Sequence, residues 1–432
     1  MLLLLFTVAI RWPTFDARFF PTDESLYLVI CERLAEGAVL YRDAWDNKPP
    51  LLLWFYGLNT LVFGKNAVWA VRLWACVILA WSAVRFYRLI ENYKFVYRRD
   101  AAFCTLFVAS FSVPWYSAEL NAELFILPMA VEAIRLLARY GIDEKRSWEH
   151  LFFVGVLCGA SFFSKYQALH LALIVAVALW LISTPTAADW TTLAGGFAFV
   201  ALLTLSYLYA CGAWTDFWDV GVAYNLDYLR LSGNPGDDPK GDQWTEYFKI
   251  WGLPMIAALA GVWTFRAGFY NLPIRQRKFG SLMTLWLLFS LVPLFLGRVY
   301  LHYFWFVLSP MLFWAALLIF GRIGRTHPKT AGLLWTSLWA VPLATWMLYF
   351  IVSDNERFDR LRSWFRPKGW VQSLHEALHP GPELTELKNT VERLRSCGIE
   401  SALVAGFLPE LYRYLELDVE TKYANFGIAY YK

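Results

Sequence analysis

The sequence predicts an all-α polytopic membrane protein of about eleven transmembrane helices, N-terminus inside, with in-plane helices on its outer face and a small soluble α/β tail. Three observations predict this. Of 432 residues, 58% are hydrophobic and 17% charged, against about 25% charged in a soluble domain, and mean hydropathy is +0.41. Such a chain cannot cover itself with polar surface in water. Apolar runs of about 15 to 24 residues recur, each near the roughly 20 needed to span hydrocarbon. Lys and Arg collect in alternate connections, as the positive-inside rule requires.

The elements follow in order. The opening "MLLLLFTVAI" lacks a basic n-region and a small-residue cleavage site, so it reads as a first span, shortened at its start, rather than a removed signal peptide. Residues 14–66 form an outer loop. Within it "FFPTDESLYLVICERLAEG" reads as an amphipathic helix capped by Thr22, with Leu26, Ile30 and Leu34 as its apolar stripe. "PPLLLWFYGLNTLVFG" reads as an in-plane or re-entrant helix. Further spans are expected near 67–88, 101–117, 121–139, 151–163, 167–183, 191–211, 247–265, 281–297, 300–320 and 331–351. With the 50–63 segment in the plane, four basic clusters share the cytoplasmic side. They centre on Arg85 to Arg99, Arg135 to Arg146, Arg275 to Lys278, and Arg322 to Lys329. If that segment crossed, they would face outward. Residues 1–351 are thus one transmembrane domain, with a second outer loop at 212–246 containing the turn-rich "SGNPGDDPKGD". Residues 352–432 change character: "GPELTELKNTVERLRSCG" alternates charge with helical period and "SALVAG" reads as a short strand.

Composition also excludes some classes. A net charge of +4 implies no nucleic-acid partner, and six scattered cysteines without a CxxC pair argue neither a disulfide framework nor a zinc site. No internal repeat or low-complexity tract is visible.

A few charges sit where they are costly. Asp23 and Glu24 open a helix, where acids either complement the dipole or serve as a general base. Glu119 and Glu123 stand four apart, on one helix face where a span begins. They need a metal, a cationic partner or water to relieve their repulsion. Arg298 and His302, beside Tyr303, suit either interfacial snorkelling or a phosphate clamp. Lys165 is isolated in "ASFFSKYQALH", either snorkelling or functional. Lys48 precedes Pro49 and Pro50, which bias its backbone away from the helical region and hold its ammonium near the depth of a lipid phosphate. Carboxylates and cations converging on one face beside apolar helices suit a lipid-linked phosphate.

The order of residues in "TDESLYLVICERLAEGAVLYRDAWDNKPPL" resembles the first outer loop of the GT-C glycosyltransferases, in the dolichyl-phosphate-mannose protein mannosyltransferase and aminoarabinose transferase superfamily. Asp23, Glu24, Tyr27, Gly37, Tyr41, Asp43, Asp46, Lys48, Pro49 and Pro50 carry it. "NAELF" at Glu123, "GASFFSKYQ" at Lys165, "GRVYLHYF" with Pro310, and "LVAGFLPELYRYL" resemble weaker motifs of that superfamily.

The resemblance implies a GT-C fold in a bacterial inner membrane, with site and tail on the periplasmic side. It implies inverting transfer of a sugar from a polyprenyl-phosphate donor to an acceptor lipid, glycan or protein. Asp23 would be the base, with Glu24 beside it. Lys48 would hold the donor phosphate, with Arg298, His302 and Lys165 as weaker candidates. Glu123, Glu119, Asp46, Tyr27 and Tyr303 would contact substrate or a divalent metal ion; no organic cofactor is expected. A ligase using a larger lipid-diphosphate donor, a lipid-linked glycan flippase and a degenerate scaffold are the alternatives. The absence of a repeat and the one-sided charges argue against a flippase.

Overall fold

The structure, a computed structural model, describes residues 1–15, 22–95, 100–112, 119–231, 240–295, 301–323, 401–402 and 418–419. These are almost wholly helical. The helices are α1 (Leu2–Arg11), α2 (Thr22–Ala35), α3 (Pro50–Phe63), α4 (Ala67–Asn92), α5 (Asp100–Ser112), α6 (Ala122–Gly141), α7 (Trp148–Phe162) and α8 (Leu169–Ile182). They continue with α9 (Ala187–Ala210), α10 (Trp214–Asp216), α11 (Tyr224–Leu231), α12 (Lys240–Gly268), α13 (Ile274–Ser290), α14 (Val292–Phe295) and α15 (Trp305–Ala316). Ser401–Ala402 and Asp418–Val419 pair in parallel as two short strands.

Local chemistry sets the breaks. Pro50 opens α3, where its missing N–H costs nothing. Gly64 adopts φ +54 between α3 and α4 and separates them into two helices. Asn121 caps α6 by accepting from the Leu124 N–H at 3.1 Å. Thr186 and Asp189 form a reciprocal capping box at α9. α7 and α9 approach at backbone distance. A Cβ on Gly155 would stand 2.1 Å from the Leu193 carbonyl oxygen, and one on Gly196 2.0 Å from that of Phe152. Only hydrogen fits at those crossings, the small-residue packing typical of membrane helices.

α6 is the hub and packs against α4, α7, α8 and α15. Its neighbours supply an aromatic core in which Phe86 meets Phe103, Phe107 and Trp286 at ring separations of 5.6–5.9 Å. The periphery is apolar and bare. Leu202 and Leu203 on α9 and Ile256, Leu259 and Trp263 on α12 are exposed, as suits surfaces facing hydrocarbon. Five segments are long and apolar enough to cross a membrane: Pro50–Asn92, Ala187–Ala210, Trp251–Asn271, Ile274–Phe295 and His302–Phe320. The chain reads as a multi-pass membrane protein.

Most expected spans coincide with helices, but three expectations are corrected. The described residues of the 212–246 loop are largely helical: a π-helical turn at Phe217–Ala223 leads into α11, and α12 already begins at Lys240, while the turn-rich residues 232–239 lie outside the described residues. α13 begins at Ile274 rather than near 281, because the basic "IRQRK" is itself its first turns. α2 is not amphipathic; every residue from Glu24 to Cys31 is buried, since α3 and its neighbours enclose it. The expected span at 331–351 lies outside the described residues, as does all of the 352–432 tail save the two strands.

Candidate active site

The site starts from a short turn. The Asp46 Oδ1 accepts the Lys48 N–H at 3.0 Å, an Asx turn that closes just before Pro49. Tyr41 sits at φ +71, and its hydroxyl donates to the Lys48 carbonyl at 2.8 Å. The Lys48 backbone is therefore held from both sides. Its ammonium lies 3.6 Å from Asp46 Oδ1 and 4.9 Å from the centre of the Tyr27 ring. Next along the chain, the Leu51 N–H at the start of α3 donates to the Phe163 carbonyl at 3.0 Å. That bond ties the Lys48 turn to the end of α7, two residues before Lys165.

Lys165 leaves α7 in extended conformation, φ −160, and ion-pairs with Glu123 in the first turn of α6. Its ammonium stands 4.4 Å from the centre of the Tyr303 ring, whose hydroxyl accepts from Gln167 Nε2 at 3.3 Å. His302 Nε2 is 3.7 Å from Glu123 Oε1. Three separate elements, the end of α7, the first turn of α6 and the Leu301–Phe304 turn, thus bring Lys165, Glu123, His302 and Tyr303 together.

Asp23 lies in the first turn of α2, half-buried. Burial alone would raise its carboxyl, but Lys48, then His302 and Lys165, outweigh this and hold it below the usual carboxylate range. Asp46 and Tyr27 respond oppositely. Burial raises Asp46 despite Lys48. Burial, with Asp23 and Asp46 nearby, pushes the Tyr27 hydroxyl well up. Of Asp23, Asp46 and Tyr27, Asp23 alone is held below its ordinary value. Asp46 Oδ2 and Glu123 Oε2 are buried and accept no hydrogen bond among the described residues, which leaves acceptor capacity facing the cluster.

Glu24 has a different setting from its neighbour. Arg72 Nε and Nη2 both reach its Oε1, at 2.9 and 2.5 Å, with both side chains sealed from solvent. Arg72 also donates to the Thr14 carbonyl. Arg11 at the end of α1 is fully buried beside this pair. The Glu24 N–H donates to Glu119 Oε2 at 3.2 Å. Burial, reinforced by Asp23 and Glu24, raises the Glu119 carboxyl well above its ordinary value.

Two expectations about these acids change. Glu119 precedes α6, whose cap is Asn121, so it does not share a helix face with Glu123. The Lys165 pairing of Glu123 relieves the repulsion between them. Glu24 is a structural anchor rather than a free acid. Arg298 lies outside the described residues. Among the described residues no three His, Cys, Asp or Glu side chains converge closely enough to hold a metal ion, and Glu24 and Glu123 are each already matched by a cation.

Sequence reasoning missed Arg72, Arg11 and Asn225. Arg72 had a legible signal, a lone charge in the apolar first half of α4. Asn225 had none. Its Nδ2 donates to the Asn47 carbonyl at 2.6 Å and its Oδ1 accepts from Asn47 at 3.3 Å. Together with the Trp45–Tyr224 and Tyr41–Phe217 edge contacts, it presses the 214–231 segment onto the Lys48 turn.

Residues 47–214 match the family described as dolichyl-phosphate-mannose-protein mannosyltransferase. Among curated proteins, the lipid A galacturonosyltransferase RgtD of Rhizobium johnstonii is 30% identical over 176 residues, 39% of this chain. The match spans 33% of that relative's length. ArnT from Cupriavidus metallidurans, solved with undecaprenyl phosphate bound, is similar over 96% of this chain and 74% of its own, with TM-score 0.57 and 14% identity. The archaeal oligosaccharyltransferase AglB from Archaeoglobus fulgidus, solved with an inhibitory peptide and a dolichol-phosphate, is similar over 88% and 59%, with TM-score 0.51 and 12% identity. At such identities the likeness is one of fold. The family match, the curated relative and the shared fold all point to the GT-C glycosyltransferase superfamily.

Proposed function

We propose that this chain is an integral membrane glycosyltransferase that moves one sugar from a polyprenyl-phosphate donor to an acceptor hydroxyl on the periplasmic face. The observation that carries the reading is Asp23: a half-buried acid kept ionised by Lys48, His302 and Lys165, which arrive from three other elements. The bound lipid phosphate of the ArnT structure supports a carrier of that class.

Asp23 accepts the proton of the acceptor hydroxyl as its oxygen attacks the anomeric carbon. A new carbon–oxygen bond forms there, and the bond to the phosphate oxygen breaks with its electron pair leaving on the phosphate. One displacement inverts the anomeric centre and needs no covalent enzyme intermediate. The growing charge falls on polyprenyl phosphate, where the Lys48 ammonium neutralises it. Asp46 and Glu123 take sugar hydroxyls, and the apolar face of α3 lies along the isoprenoid. We assign leaving-group stabilisation to Lys48 rather than a divalent ion because Arg72 and Lys165 already occupy Glu24 and Glu123. The lipid A relative makes a glycolipid hydroxyl the first acceptor to try.

The test incubates purified full chain with a panel of polyprenyl-phosphate sugars and lipid acceptors, with and without EDTA, and follows release of polyprenyl phosphate. Release dependent on acceptor and insensitive to EDTA is expected. A chain that consumes no donor with any acceptor, with or without added divalent ions, is not this enzyme.

A further inference from the structure

A cavity of about 710 Å³ opens at the end of the molecule away from Asp23, between the ends of α4 and α6 and the start of α13. α6 carries Glu123 in its first turn and Arg139 in its last. Sixteen residues at 1.5 Å each separate the active site from this cavity by about 24 Å. That approaches the thickness of the hydrocarbon core, so the two openings face opposite leaflets.

Seven Arg or Lys side chains line the cavity against two carboxylates, Asp143 and Glu144. Some of that charge is spent locally. Arg85 and Arg135 share Glu132, and Arg275 lies 2.5 Å from Asp143 Oδ1. Arg88, Arg139 and Lys145 are exposed and make no ion pair among the described residues. The floor is rigid: Tyr93 stacks on Phe279 at 4.1 Å, and its carbonyl accepts from Gln276 at 3.1 Å. α13 enters the cavity wall at Ile274 after Pro273, with no side-chain cap on its first N–H groups. That end adds partial positive charge to the same concavity. An ordinary basic loop that merely sets topology needs neither a concavity nor an ordered aromatic floor.

We infer that this cavity binds a phosphate-bearing anion, supplied either by the headgroup of an anionic phospholipid or by a soluble phosphate ester. Unpaired guanidinium groups and an uncapped helix start are the chemistry that recognises phosphate oxygens. Ile274, exposed at the rim, and Trp81, whose ring lies 5.5 Å from Arg85, offer apolar surface to an acyl chain. Basic pockets between transmembrane helices on the cytoplasmic side are suited to such headgroups. The inference does not depend on the transfer reaction.

The experiment titrates purified full chain in neutral detergent with dihexanoylphosphatidylglycerol, with glycerol phosphate, and with dihexanoylphosphatidylcholine as control. Saturable, salt-sensitive binding of the first is expected. Arg88→Gln and Arg139→Gln should each weaken it about five-fold, and the triple variant with Lys145→Gln should abolish it while unfolding at the wild-type temperature. Tighter binding of the lipid than of glycerol phosphate assigns the site to the bilayer. Equal binding assigns it to a soluble phosphate ester, and either supports a phosphate site. No saturable binding by either compound, or unchanged affinity in a folded triple variant, overturns it.

Discussion

Asp23 and Glu24 are adjacent in sequence and opposite in fate. Glu24 is sealed in a pair with Arg72, at 0% and 1% side-chain exposure, beneath the site. Asp23 faces the cluster, where the cations that hold it are Lys48, exposed by 24%, and Lys165. A sealed pair has spent its charge on holding α2, α4 and the start of the outer loop together. An open group still has charge to use on a substrate. A one-residue step around a helix turns by about 100°, and that step separates architecture from chemistry.

The comparison can be broken at either residue. The largest effect is expected at Asp23. Asp23→Asn should lower turnover about 10²- to 10⁴-fold with unfolding temperature and donor binding little changed, read by polyprenyl phosphate release and donor retention. Arg72→Met should do the reverse. Leaving Glu24 buried without its cation costs about 3–5 kcal/mol, seen as lost yield and a lowered melting temperature.

Lys48→Met sharpens the account. Removing a group that stabilises the leaving phosphate should cost about 10²-fold in turnover. It also removes the largest attraction holding Asp23 low. In the wild type the base stays ionised down to pH values below the ordinary carboxylate range, so activity falls only under that limit. Without Lys48, burial dominates, the carboxyl rises, and the acid limb of the kcat/KM profile moves to higher pH.

The smallest effect is expected at Glu119. Its folded carboxyl is raised by burial and by Asp23 and Glu24, so the folded state binds that proton more tightly than the unfolded state does. That stability is fully present below the ordinary carboxylate pKa and is lost as pH rises toward the raised value. Glu119→Gln keeps an oxygen for the Glu24 N–H. It should match wild type near pH 4 and become slightly more stable by pH 8, in thermal unfolding across that range.

Much of this arrangement was legible in the sequence. The apolar runs at 67–88, 121–139 and 191–211 became α4, α6 and α9 because hydrocarbon-length segments have few alternatives. The Pro-Pro step marked the extended backbone at Lys48, whereas the Asp46 turn that closes on it emerged only in the structure. Arg72 was overlooked because its partner lies 48 residues upstream, and a long-range pairing leaves no local spacing. Glu119 was misplaced because the cap at Asn121 was not weighed against the i, i+4 spacing. Asn225 could not be found at all, since one polar residue in an outer segment carries no period or cost of its own.

The most direct measurement compares Asp23→Asn and Glu24→Gln side by side in nanodiscs, as single-turnover release of polyprenyl phosphate per folded molecule. The account predicts that Asp23→Asn folds, holds donor and releases almost nothing, whereas Glu24→Gln yields little protein but retains substantial turnover in what folds. Near-normal release by Asp23→Asn, or a well-folded Glu24→Gln that is the dead variant, would contradict it.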